Sequence, residues 1–133
     1  MSKLMLIITF FVLSTNISND LVVENKVIET VVNEIELTYD NIMTEMIQNE
    51  LKHTDILLKQ IKLETGNLKR IKDNNLFGFR KNEYLSFDTW MDCIKYAKVW
   101  QDKRYKGGNY YTFLDKINYA EDPLYFEKLK RIK

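Results

Sequence analysis

Apolar residues recur three and four positions apart in segment after segment of this chain, and that spacing commits it to helices packed on one another. The longest run sets Trp90, Cys93, Ile94, Ala97 and Trp100 on one stripe as far as Tyr105, the period of a helix with one buried face. Ser86 or Asp88 is expected to open it, and Lys106-Gly107-Gly108 ends it. Upstream, Thr38 reads as the N-cap of a helix over Asn41 to Leu51 with Ile42, Met43, Met46, Ile47 and Leu51 inward. His53 or Thr54 caps a third stretch, Asp55 to Glu64, carrying Ile56, Leu57, Ile61 and Leu63 and stopped by Gly66. Downstream, Asn109 caps a short helix with Tyr110, Phe113, Leu114 and Ile117 inward. The pair Asp122-Pro123 has the N-cap and first-position chemistry of a last helix with Leu124, Tyr125, Leu129 and Ile132. From Asn67 to Ser86 the helical period is lost and Asn, Asp and Gly gather, which reads as a loop with room for one short hairpin. The fold class expected is all-α, a bundle with a minimal irregular or β lobe.

At 133 residues, 45% of them hydrophobic, the chain has room for one domain and a core able to fold alone. Its N-terminus reads differently from the rest. Lys3 precedes an apolar run from Leu4 to Leu13, followed by polar Ser14-Thr15-Asn16, a pattern of export signals and too short to cross a bilayer comfortably. Residues 1–18 are therefore expected to be a signal peptide or N-terminal membrane anchor. Residues 19–37 are expected to be a helical extension, with Val23, Val27, Val31 and Ile35 at every fourth position, and 38–133 the main domain. Lys plus Arg number 20 against 19 for Asp plus Glu, so long-range attraction to nucleic acid has no support. One cysteine, Cys93, and one histidine, His53, leave no disulfide and no Cys- or His-based metal centre, and no cofactor is expected.

The chemistry-bearing residues concentrate in two strings, Lys62-Leu63-Glu64-Thr65-Gly66 and Asn74-Asn75-Leu76-Phe77-Gly78. A carboxyl group at the end of an apolar helix, desolvated by Ile61, Leu63 and a turn carrying Phe77, would have a raised pKa and suit proton delivery to a glycosidic oxygen. Read alone, Glu64 is more often an ordinary solvated helix-end residue than a catalytic one. In the second string Phe77 or Leu76 is expected to plug the core, with Gly78 supplying a positive φ and Asn74 and Asn75 near a cleft. The tyrosines, Tyr84, Tyr111 and Tyr119 among them, exceed what a core this size needs and can bind sugar faces. Tyr125, on the period of the last helix, is expected in the core, as is Cys93.

From Ile56 to Arg131 the chain resembles the glucosaminidase domains of bacterial and phage peptidoglycan hydrolases, glycoside hydrolase family 73, which includes flagellar muramidase-like enzymes and endo-β-N-acetylglucosaminidases. Four ordered strings carry the likeness: Gln60-Ile61-Lys62-Leu63-Glu64-Thr65-Gly66, then Asn75-Leu76-Phe77-Gly78, then Phe87-Asp88-Thr89-Trp90 with Ile94 and Tyr96, and last Tyr119-Ala120-Glu121-Asp122-Pro123-Leu124-Tyr125. The resemblance implies a lysozyme-like helical fold acting on peptidoglycan glycan strands, and a monomer is expected. Glu64 matches the family's catalytic acid and Tyr119 its active-site tyrosine. Asn74, Asn75, Phe77, Glu83, Tyr84 and Tyr111 are the expected substrate-binding residues. The lobe departs from the family in being short: between Phe79 and Ser86 Glu83 is the sole carboxylate, so an open, shallow cleft is expected, and a second acidic residue is not secured. The sequence leaves three alternatives open: a lytic transglycosylase, a muramidase, and a non-catalytic glycan-binding or virion structural protein. An exported protein, periplasmic or extracellular, or a phage-encoded one, fits the N-terminus.

Overall fold

The computed structural model describes residues 35–133, so the expected signal or anchor at 1–18 and nearly all of the 19–37 extension lie outside the described residues. Five helices occur among those described, and Leu37–Lys133 form one compact unit. The first, α1 (Tyr39–Gln48), starts two residues ahead of the sequence expectation. Thr38 is its cap all the same, its Oγ1 accepting from the Asn41 N–H at 3.2 Å. Ile42 and Met46 are buried to the last atom, whereas Ile47 is 61% exposed, so the inward stripe is narrower than five residues.

Helix α2 (Thr54–Thr65) begins after His53, which sits in the left-handed region at φ 58° and makes no side-chain cap. Its imidazole Nε2 lies 2.7 Å from the Tyr105 hydroxyl, and its ring stacks on Tyr110, so His53 ties this corner to the 105–110 segment. Helix α3 (Trp90–Arg104) is opened by Thr89, and neither Ser86 nor Asp88 caps it. Thr89 and Asp92 form a reciprocal capping box that satisfies two otherwise orphaned donors. Helix α4 (Tyr110–Lys116) is capped by Asn109 as expected.

The last helix, α5 (Tyr125–Arg131), starts later than Asp122-Pro123 implied. Asp122 accepts the Leu124 N–H on Oδ1 and the Tyr125 N–H on its carbonyl, so it closes a turn ahead of the helix. Leu124 is consequently 52% exposed instead of inward. Helix α2 packs against both α1 and α5, and α1 also meets α3. This arrangement agrees with an all-α, lysozyme-like fold. Strand structure among the described residues is confined to one antiparallel bridge, Arg80 to Tyr84, the short hairpin the turn-rich stretch allowed.

The lobe between α2 and α3 hangs on one buried side chain. Asn75 donates from Nδ2 to the carbonyls of Phe79 and Leu85 and accepts the Phe79 N–H on Oδ1, three bonds of 2.9 Å. It therefore substitutes for the strand ladder that so short a hairpin lacks. Asn74, at φ 54°, does the same at the lobe's base, donating to the carbonyls of Phe87 and Asp88. Cys93 is a core residue as expected. Its sulfur accepts the Leu76 N–H at 3.3 Å, and burial pushes its thiol up to about 12, leaving it unreactive.

Candidate active site

Glu64 occupies the last turn of α2, and the three residues after it end the helix there. Thr65 is buried; its hydroxyl donates to the Ile61 carbonyl at 2.6 Å and accepts the Leu68 N–H at 2.9 Å. Gly66 takes the left-handed conformation, and its N–H and that of Asn67 both turn back to the Lys62 carbonyl. The Glu-Thr-Gly string is thus a helix stop that leaves the preceding carboxylate projecting from the final turn.

The second string folds against that carboxylate. Gly78 has φ +68°, and a Cβ on it would lie 2.9 Å from Glu64 Oε2. Glycine is required there twice, for the backbone conformation and for the close approach. Around this contact opens a cleft of about 640 Å³. Its floor and near wall are Leu63, Glu64, Phe77, Gly78, Phe79 and Arg80; Trp100 and Arg104 of α3 form a second wall. The third is the run from Ile117 to Asp122 with Tyr125 and Lys128.

Glu64 stands among dense protein on one side and open solvent on the other, and by accessible surface the residue is exposed. Burial of the carboxyl nonetheless raises its pKa above the ordinary glutamate value, with the Tyr125 hydroxyl and the Arg80 guanidinium acting the other way. Water in the open cleft screens all three effects, so the direction of the rise matters more than its size. The Tyr125 hydroxyl is buried with no hydrogen-bond partner, as are both polar atoms of Gln60, one turn before Glu64. Tyr125 is near enough to Glu64 for each to shift the other's pKa, and the Gln60 amide acts on Tyr125 as well. This is polar proximity short of a formed bond, because no donor–acceptor geometry closes.

Tyr119 reaches the cleft from the α4–α5 connection. Its hydroxyl donates to the Phe77 carbonyl at 2.8 Å, and its ring packs edge-on against Trp100 and tilted against Tyr125. The phenol's pKa is raised well above normal, first by burial and then by its neighbours Tyr125 and Glu64. Since its proton is committed to a backbone carbonyl, the hydroxyl faces a ligand as an acceptor.

Of the residues expected from the sequence, Glu64, Tyr119 and Phe77 line this cleft. Asn74, Asn75, Glu83, Tyr84 and Tyr111 do not. The two asparagines are spent on the lobe's own backbone and do not face the cleft, whereas Leu76 and Phe77 are both buried in the core and Phe77 also lines the cleft. Glu83 sits at the exposed hairpin tip. Tyr84 donates to the Asn75 carbonyl behind the lobe, and Tyr111 lies under Lys130. Arg80, Trp100, Arg104 and Tyr125 line the cleft without having been singled out for it; Tyr125 is in the core as expected, yet it also meets the site. Among the described residues no group of three His, Cys, Asp or Glu side chains converges to hold a metal ion.

The family model for mannosyl-glycoprotein endo-β-N-acetylglucosaminidases, the glucosaminidase family, matches residues 39–133, the stretch that contains every element of this cleft. No curated protein and no solved structure matches the chain.

Proposed function

The chain belongs to the glucosaminidase family, and from that premise we propose that it hydrolyses the β-1,4-linked glycan of peptidoglycan, with Glu64 as general acid. The observation that carries this reading is the Glu64 carboxyl, held against Gly78 on the floor of an open cleft with its pKa raised by burial. A carboxyl so placed keeps its proton at a higher pH than a free glutamate and can deliver it to the leaving oxygen.

The charge then developing at the anomeric carbon needs a partner. The other carboxylates on the cleft walls are Glu121 and Asp122. Asp122 is bound to Lys128 at 2.6 Å and to the Leu124 N–H, and that bond to Lys128 holds its pKa below the usual range. Glu83 does not line the cleft. In this reading the substrate's own 2-acetamido oxygen serves as the nucleophile: it bonds to the anomeric carbon as the protonated leaving oxygen departs. Water, deprotonated by the Glu64 carboxylate just formed, then opens the cyclic intermediate and restores the acid. Tyr119 accepts the acetamido N–H on its free lone pair and so orients the attacking oxygen. The apolar run from Leu4 to Leu13 supports placing this activity outside the cytoplasm, on cell wall.

The test is digestion of purified peptidoglycan with mass analysis of the released ends. New reducing N-acetylglucosamine is expected, with Glu64→Gln lowering release at least about a hundredfold while the protein still folds. Reducing muramic acid would make the chain a muramidase, and 1,6-anhydro-muramic ends a lytic transglycosylase. Binding without any release by folded wild-type protein would make it a glycan-binding or structural protein.

A further inference from the structure

Two guanidinium groups stand on the walls of the Glu64 cleft with no role in the chemistry above. Arg80, from the lobe, lies over the Tyr84 ring at 5.5 Å, and Arg104, from the end of α3, lies over the Trp100 ring at 5.2 Å. Both residues are exposed. Among the described residues neither side chain forms an ion pair or a hydrogen bond, whereas the cleft's third cation, Lys128, is occupied by Asp122. Arg80 does feel the Glu64 carboxylate, but that charge vanishes in the protonated form that a general acid must hold. Each side chain rests on an aromatic face, which limits its rotamers before a ligand arrives.

A neutral polysaccharide offers such groups only hydroxyls and amides. Planar guanidinium forks are matched instead to carboxylates, which they bind with two parallel charge-assisted bonds. We propose that Arg80 and Arg104 are a carboxylate-reading pair that selects glycan strands bearing acidic substituents. This deepens the reading above and rests on it. The carboxylate has two sources in such a polymer, the lactyl group on the sugar and the peptide stem attached to it.

Binding to Glu64→Gln protein, measured by calorimetry, separates these cases without turnover. The probes are amidase-stripped strands with free lactyl carboxylates, the same strands converted to neutral amides, and strands that retain their stems. Amidation is expected to weaken binding about tenfold or more, the scale of losing one or two charge-assisted bonds. Adding Arg80→Gln and Arg104→Gln together should weaken the acidic strands by a similar factor and leave the neutral ones alone, with an unchanged melting temperature showing that the fold is kept. Tighter binding of stem-bearing strands, lost in the arginine variant, assigns the contact to the stem; tighter binding of stripped strands, whose lactyl carboxyl is no longer tied up as the stem's amide, assigns it to the lactyl group. Unchanged affinity on amidation, or equal weakening of acidic and neutral strands in the arginine variant, overturns the pair. Should wild-type protein release reducing ends while the pair discriminates nothing, only this inference falls. No binding to any strand, with no release of ends, removes the substrate reading as well.

Discussion

Replacing Gly78 by alanine separates the two jobs that position performs. At φ +68° an L-residue carries left-handed strain of about 1–2 kcal/mol. In a folded unit of 97 residues, Leu37 to Lys133, each kcal/mol lowers the melting temperature by about 4–8 °C. The added Cβ also meets Glu64 Oε2 at 2.9 Å, where ordinary contact begins at 3.4 Å. Because that atom ends a flexible side chain, the clash is relieved by retreat of the carboxylate, by 3.4 − 2.9 = 0.5 Å or more. The strain falls on stability and the retreat falls on catalysis. A misplacement of 1 Å costs about a hundredfold in rate, so about half of that distance should cost roughly tenfold. Gly107→Ala is the control: its φ is also positive, at 106°, but a Cβ there meets nothing within 4 Å. Thermal melts and initial rates per folded molecule on the same glycan give both quantities. Gly78→Ala should lose melting temperature and rate, Gly107→Ala melting temperature alone. A normal rate in folded Gly78→Ala protein would refute the claim that this turn fixes the acid.

Tyr125→Phe removes a hydroxyl that holds the Glu64 pKa down; since the acid must be protonated, the alkaline limb of kcat/KM should move to higher pH, and an unmoved limb would disconnect the two residues. At a pH low enough to protonate Glu64, where that stabilisation of the carboxylate is absent, the same variant should melt no lower than wild type, because the hydroxyl it deletes is buried without a hydrogen-bond partner. Tyr119→Phe loses the 2.8 Å bond to the Phe77 carbonyl; a cost of about 0.5–1.5 kcal/mol is expected with turnover down about tenfold through the turn beneath Glu64, and full rate per folded molecule would take Tyr119 out of the mechanism. Glu83→Gln, at the hairpin tip outside the cleft, should change rate less than about twofold, well inside the effect of losing a general base; a loss matching that of Glu64→Gln would restore a two-carboxylate scheme.

Local chemistry was the legible part of this fold. Thr38, Gly66 and Asn109 end or start helices because their side chains, or the lack of one, act on backbone within four residues. Where two such signals compete, the sequence misleads: Ser86, Asp88 and Thr89 are all capping residues, and only the reciprocal bond from Asp92 selects Thr89. Asp122-Pro123 is a true capping pair, but it closes a turn, because Leu124 leaves the helical region at ψ 5° before α5 begins. The site was half legible. Glu64 and Gly78 belong to strings whose resemblance to a family could be read directly. Arg80, Trp100 and Arg104 come from a period-free loop and from the edge of an inward stripe, and only the packing of α3 beside the lobe makes them neighbours. Asn75 was placed at the cleft because an amide is useful to a sugar. A 22-residue irregular lobe between α2 and α3, spanning 67 to 88, has a prior claim on any buried amide, since its backbone groups have so few partners in strands.

The acid itself is held by the same local bonds. A carboxylate in the last turn of a helix faces the negative end of the helix dipole, and the burial raising its pKa works in the same direction. A carboxyl group whose folded pKa lies above its unfolded one binds its proton more tightly in the folded protein. Its contribution to stability is therefore present below the unfolded value and is lost as pH rises through the raised one. Arg80 and Tyr125 offset this only in part. At neutral pH Glu64 is thus a liability to the fold, borne by the Thr65 hydroxyl bonds, the Gly66 stop and the Asn75-centred lobe that together keep its carboxyl in place. The proposed role as general acid would account for a residue so poorly placed for stability, and the same logic requires Glu64→Gln protein to melt at neutral pH no lower than its parent. A clear drop would mean that the carboxylate is a structural anchor for the turn, and its raised pKa would then no longer argue for catalysis.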